Sequence, residues 1–330
     1  MITQSTFKPL WYLKNPHLQT IVANFIHPAL PKLSFETIKL PDGDTLDLAH
    51  GPTKGPDTVL ILHGLEGAIT SAYAQRLICF LESKKIPVSM MFFRGCNGSP
   101  NRKLRSYHSG DTEDLKSVIQ HLKDKGSKQI ALVGYSLGGN VTLKYMGEDI
   151  TDEAVICATA VSVPLLLADC ATRMNRGFSR IYQFVLLRRL IKKVLQKQDL
   201  FHQAGITTNP TTLKTFKTFD ETFTAPIHGF KSANDYYQKS SSRQFLSGIK
   251  KQTLIIHAKD DPFMTKDVIP PDSELSEEIT LELSEFGGHV GFISGKWFKP
   301  RFWLEQRIYQ FIQPHFSKPK KNPQTNAEGS

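Results

Sequence analysis

The chain has 330 residues, of which 40% are hydrophobic and 22% charged, an ordinary balance for a globular fold and enough for one large domain with an insertion, or for two domains. No apolar run reaches the roughly 18 residues of a membrane-spanning helix, and residues 1–8 lack the basic and apolar regions of a signal peptide. Net charge is +10, but no recognised nucleic-acid motif accompanies it, which argues against DNA or RNA as partner.

Residues 1–33 read as an arm packed on the main body. Asn15-Pro16 starts a helix with proline at its first position, and Trp11 and Tyr12 supply apolar contact. His17 reads as structural rather than catalytic. Residues 35–40 and 45–48 alternate around Pro41-Asp42-Gly43-Asp44, which predicts a β-hairpin. A buried strand over 58–62 runs into His63-Gly64-Leu65-Glu66-Gly67, followed by a helix over 72–81 and a strand over 87–93. Arg94-Gly95-Cys96-Asn97-Gly98-Ser99-Pro100 is glycine-rich but lacks the spacing of a phosphate cradle. Asp111 reads as the N-cap of a helix running to about residue 125, with Glu113 and Asp114 in its positive first turn.

The apolar run from Ile130 enters Gly134-Tyr135-Ser136-Leu137-Gly138, a helical run follows over 141–146, and another buried strand occupies 155–161. Strands alternating with helices predict an α/β fold with a mostly parallel central sheet and helices on both faces, edged by the antiparallel hairpin. Between 164 and 247 the alternation stops, which predicts a helical insertion capping the sheet, with one helix over 181–195. The basic residues Arg188, Arg189, Lys192, Lys193 and Lys197 suit either a solvated face or weak peripheral contact with a membrane. The sheet resumes at 253–257 and ends in Ala258-Lys259-Asp260-Asp261-Pro262; a strand over 279–283 precedes Phe286-Gly287-Gly288-His289-Val290-Gly291-Phe292, and a last helix runs over 301–312. The division expected is an arm (1–33), a core (34–163 with 248–316), a cap (164–247) and a disordered tail (317–330). Cys79, Cys96, Cys157 and Cys170 are scattered, which suggests a reducing cytoplasm and neither disulfide scaffold nor zinc site.

A serine at the apex of a strand–turn–helix is exposed and strained, and needs small neighbours. Its hydroxyl is a poor nucleophile without a base and a group that orients the base. His289, on a glycine-flanked loop, and an aspartate at 260 or 261 follow in the order Ser…Asp…His. Residues past the carboxyl ends of parallel strands converge, so the three can meet. Pro262 fixes the backbone after Asp261, which favours it over Asp260, then a turn former or supporting acceptor. Two backbone N–H groups, of Leu137 and Leu65, are the candidate oxyanion donors. His63 has no partner at metal-ligand spacing, so neither metal nor cofactor is expected.

The chain thereby resembles the α/β-hydrolases, and more closely the bacterial YheT-type hydrolases, related to plant EMB8 proteins and eukaryotic ABHD1/ABHD3-like lipid hydrolases. The segments that carry the likeness are Asn15-Pro16-His17-Leu18-Gln19-Thr20, His63-Gly64-Leu65-Glu66-Gly67, Phe93-Arg94-Gly95-Cys96, Gly134-Tyr135-Ser136-Leu137-Gly138-Gly139-Asn140, Asp260-Asp261-Pro262-Phe263 and Gly287-Gly288-His289-Val290-Gly291-Phe292. The resemblance implies a carboxylic ester hydrolase acting on short- to medium-chain acyl or lipid esters, with Ser136, Asp261 and His289 as its relay. Some relatives carry a His-x4-Asp acyltransferase signature; no histidine here has it, which weakens acyl transfer as an alternative. A non-catalytic lipid- or partner-binding protein of the same fold is the other alternative.

Overall fold

The structure, a computed structural model, describes residues 1–148, 152–296 and 299–316. Nine strands form one sheet: β1 (Ile2–Gln4), β2 (Ser34–Lys39), β3 (Thr45–His50), β4 (Asp57–Leu62), β5 (Val88–Met91), β6 (Gln129–Tyr135), β7 (Val155–Val161), β8 (Thr253–Ala258) and β9 (Ile279–Ser284). Their order across it is β1-β9-β8-β7-β6-β4-β5-β3-β2. Every neighbouring pair is parallel except β5 with β3 and β3 with β2, so the hairpin forms the antiparallel edge that the turn chemistry predicted.

The central strands are largely apolar, with Leu, Ile and Val on both sides, because helices cover both faces. On one face, α2 (Ala72–Ser83) and the helix Trp303–Ile312 bury Leu77, Ile78, Leu81, Leu304 and Ile308 against Val59, Ile61 and Val133. On the other, α3 (Glu113–Asp124) and α4 (Leu137–Gly147) bury Leu115, Val118, Ile119 and Val141 against Leu60, Leu62 and Leu132. Each fully buried Leu, Ile or Val side chain stabilises the fold by roughly 1.5–3 kcal/mol, which makes this double layer the rigid base of the site.

Between β7 and β8 the chain is helical: α5 (Leu167–Arg173), α6 (Ser179–Gln196), and shorter pieces up to Ala233–Ser240 and Ser242–Gly248. It packs around two small aromatic and aliphatic clusters, one of Leu167, Ala233, Tyr236 and Tyr237, the other of Leu187, Val194, Phe201, Phe219 and Phe223.

Three local expectations need correction, and one strand was not foreseen. Residues 2–4 form a strand, parallel to β9, too short to show a period. The strand expected over 87–93 stops at Met91. The last helix begins at Trp303, because Ile293–Lys296 and Lys299–Phe302 pair first as a separate antiparallel sheet. Asp111 does not cap α3; Thr112 precedes the helix, and the Asp111 carboxylate accepts instead from Arg105, at 2.7 Å. All four cysteines are free thiols. The tail expected over 317–330 lies outside the described residues.

Candidate active site

Ser136 joins β6 to α4 with φ 52° and ψ −117°, a strained conformation for a residue with a side chain. The turn tolerates no bulk: a Cβ on Gly138 would lie 2.4 Å from the Leu62 carbonyl oxygen. The Gly-x-Ser-x-Gly spacing is therefore steric in origin. It puts the Ser136 hydroxyl at the positive end of α4.

Ser136, Asp261 and His289 come together. His289 Nε2 lies 3.0 Å from Ser136 Oγ, and Nδ1 lies 2.8 Å from Asp261 Oδ2. An ionised carboxylate only accepts, so Nδ1 carries the proton and Nε2 presents its lone pair to the serine. The buried Asp261 side chain is fixed in turn by the Phe263 N–H, which donates to Oδ1 at 2.9 Å. The Phe263 ring stacks on the imidazole, 3.9 Å between centroids and 7° from parallel. Asp260 points elsewhere: its Oδ1 accepts from Gly288 N at 2.9 Å, and burial pushes its carboxyl up to about 6. The two adjacent carboxylates thus divide, one to the imidazole and one to the backbone of the loop that bears it.

That loop is shaped by the arm, a role that reading the arm as mere packing misses. α1 (Pro16–Ala23) lies against it. The His289 N–H donates to Thr20 Oγ1 at 2.8 Å, while the Thr20 hydroxyl donates to the Pro16 carbonyl at 2.8 Å. Gly288, at φ 57°, approaches so closely that a Cβ would stand 2.4 Å from that same carbonyl. Gln19 is fully buried; its amide donates to the Leu13 and Ile293 carbonyls and accepts from Ile293 N. Val290 N donates to Ser162 Oγ at 3.1 Å. The one signal available in the sequence was a pair of polar residues, Gln19 and Thr20, on a short and otherwise largely apolar helix. His17 packs against the insertion, its Nδ1 3.2 Å from Tyr182 Oη and its ring against Phe178.

The loop after β4 closes on the serine from the other side, where Gly64 lets its backbone approach the Ser136 side chain. Gly64 N donates to Tyr73 Oη and Glu66 N to Tyr107 Oη, which holds Leu65 between two anchored neighbours. Leu65 and Leu137 both border the cavity beside Ser136. His63 is a strut: Nδ1 donates to the Gly64 carbonyl at 2.7 Å and Nε2 accepts from Phe93 N at 3.1 Å, and burial lowers its pKa to about 4. With both nitrogens engaged, it offers no lone pair to a metal.

A cavity of about 170 Å³ opens from Ser136 and His289 and is roofed by Leu186, Leu190 and Val194 of α6, with Phe219 and Phe223 behind. Its apolar walls suit a hydrocarbon chain. Asn140 ties floor to roof: its buried amide donates to the Ser109 and Ser240 carbonyls and accepts from Ser242 N.

A family model described as the alpha/beta hydrolase fold matches residues 57–296. The chain belongs to the α/β-hydrolase family. YheT of Escherichia coli (strain K12), a protein described as an esterase, is 39% identical over 94% of this α/β hydrolase and 94% of its own length. The phospholipase ABHD3 of Mus musculus is 25% identical over 95% of this chain and 79% of its own. The monoacylglycerol lipase of Saccharomyces cerevisiae is 29% identical over 77% of this chain and 58% of its own. Among solved structures, the Pyrococcus furiosus esterase Pf2001 superposes with a TM-score of 0.60 at 18% identity, covering 87% of this chain and 91% of that one; this likeness is one of fold. The hydrolase is esterase- or lipase-like, and among its described residues no helix is long and apolar enough to cross a membrane.

Proposed function

We propose that this hydrolase cleaves carboxylic esters of short- to medium-chain acyl groups or of lipids through an acyl-enzyme on Ser136. The observation that carries the reading is the chain of contacts from Ser136 Oγ to His289 Nε2 at 3.0 Å and from His289 Nδ1 to Asp261 at 2.8 Å. Ser136 Oγ attacks the carbonyl carbon while His289 Nε2 takes its proton. The Leu65 and Leu137 N–H groups receive the oxyanion. As the tetrahedral intermediate collapses, His289 returns the proton to the departing alcohol. A water then loses its proton to His289 and attacks the acyl carbon, which releases the acid and restores Ser136. Asp261 keeps the imidazole in the required tautomer and stabilises the imidazolium. The insertion over 164–247 acts as a cap whose apolar lining selects the acyl chain. The relatives named esterase, monoacylglycerol lipase and phospholipase support the substrate class.

The test is a panel of p-nitrophenyl esters graded by acyl length. Ser136→Ala lowers kcat by about 10⁴-fold or more at an unchanged unfolding midpoint; a variant that cleaves p-nitrophenyl butyrate like the parent overturns the reading. Asp261→Asn costs about 10⁴-fold. Asp260→Asn, which only loosens the loop, costs about tenfold or less.

A further inference from the structure

α6 has two working faces. At about 100° per residue, Leu186, Leu190 and Val194 fall on the side that roofs the cavity. Lys193 and Lys197 fall there too. Lys193 Nζ is 2.7 Å from Glu66 Oε1, and Lys197 Nζ is 2.9 Å from Asn101 Oδ1. Two of the five cations that suggested a basic solvated face are therefore turned inward.

The opposite side is not an ordinary solvated face. Ile181, Phe184, Val185 and Leu195 project from it with 51, 59, 45 and 42% of their surfaces exposed. Phe178, just before the helix, adds another 45%. Its ring meets His17 of α1 at 4.5 Å, next to the exposed Leu18, so the apolar surface reaches the arm. Arg188, Arg189 and Lys192 lie on the same side and are exposed. The helix, Ser179–Gln196, contains no acidic residue. Scattered exposed apolar residues are normal on proteins, but Phe178, Ile181, Phe184 and Val185 crowd within about two turns, and such a cluster marks an interaction surface.

From this face we infer that the protein docks on an anionic phospholipid surface, with α6 lying in the plane of the interface. The occupant follows from the mixture of chemistry. Ile181 and Phe184 need an apolar phase, and Arg188, Arg189 and Lys192 need anions; the headgroup–acyl boundary of an anionic bilayer provides both side by side. Nucleic acid satisfies the cations but leaves the aliphatic residues in water. A second copy would set the cations against their own kind or against the apolar half. Docked this way, the helix that roofs the cavity rests on the phase from which a lipid ester would come. The surface is independent of the catalytic reading, because attachment requires no turnover.

Flotation of the full-length protein with phosphatidylcholine vesicles, with and without phosphatidylglycerol, tests it. The parent floats with the phosphatidylglycerol vesicles, and high sodium chloride releases it. Ile181→Ser with Phe184→Ser weakens binding at least about tenfold. Arg188→Ser, Arg189→Ser and Lys192→Ser together weaken it about a hundredfold. Both variants still cleave soluble p-nitrophenyl butyrate like the parent, which shows that they fold. A parent that stays out of the phosphatidylglycerol layer overturns the inference. So does an apolar double variant that floats like the parent, or a parent dimer in sedimentation that this variant dissolves, since the face would then belong to a second copy.

Discussion

Arg94, beside the sheet, and Lys197, in the helical insertion, are both buried cations, and they are held differently. Arg94 Nε and Nη2 reach the two oxygens of Asp114 at 2.7 Å each, and Nη1 reaches Asp42 at 2.6 Å and Asp44 at 3.2 Å. Burial alone would lower the Arg94 pKa, but these carboxylates hold it above its ordinary value. Among the described residues Lys197 donates to neutral acceptors, Asn101 Oδ1, the Leu104 and Arg105 carbonyls and the Ser106 hydroxyl, at 2.9, 3.1, 3.3 and 3.4 Å, while the Asp44 carboxylate acts on it only through space. Burial outweighs them and lowers its pKa to about 8. Asp220, within the insertion, is the mirror case. It accepts from Thr224 and Tyr237 hydroxyls at 2.6 and 2.7 Å, and burial raises it to about 6. At Arg94 the counter-charges outweigh burial; at Lys197 and Asp220 the carbonyls and hydroxyls do not. At these sites the sheet is pinned by ion pairs, whereas the insertion, beside its Lys193–Glu66 pair, is also tied down by contacts that titrate.

The sharpest way to break this contrast is Arg94→Met. It leaves Asp44 and Asp114 buried without their cation, and the free energy of unfolding by urea falls by about 3–5 kcal/mol. Lys197→Met removes no counter-charge, so its effect is smaller and depends on pH. Unfolded lysine releases its proton near 10.5 and folded Lys197 near 8. Between those values the unfolded chain holds more protons, so stability rises with pH; from pH 8 to 10 the parent gains about 1–2 kcal/mol on the variant. The smallest effect belongs to Asp220→Asn. Folded Asp220 takes its proton near 6 and the unfolded residue near 3.8, so the folded chain holds more protons in that window. The parent gains on the variant by about 1 kcal/mol as pH falls from 7 to 5. If Lys197→Met proved as damaging as Arg94→Met and independent of pH, the two regions would not differ as described.

What could be read from the sequence follows the same division. Gly134, Ser136 and Gly138, the strand end before Asp261 and the glycines around His289 are local signals, and the structure brings these three side chains together. The helical insertion was legible as a break in alternation. The inward turn of Lys193 and Lys197 was not, because α6 is apolar on both sides: Leu190 and Val194 face the cavity while Ile181 and Val185 face out. A hydrophobic period that fits two faces cannot say which one is inside. Arg94 appeared only within a glycine-rich loop, since its partners lie in the hairpin turn and in α3. The arm's hold on His289 was nearly hidden for a similar reason: it consists of side chains bonding to backbone far along the chain, and the polar pair Gln19 and Thr20 was its one local trace.

That hold also imposes an order in time. Thr20 meets His289 across 269 residues, and Gln19 meets Ile293 across 274. The strand, turn and helix around Ser136 are neighbours in the chain and close early, whereas contacts of such separation form late. The imidazole therefore acquires its position only when the first and last parts of the chain have found each other. In a refolding experiment the helical circular dichroism is expected to return before ester cleavage; simultaneous recovery would mean that the arm and the His289 loop close together with the sheet.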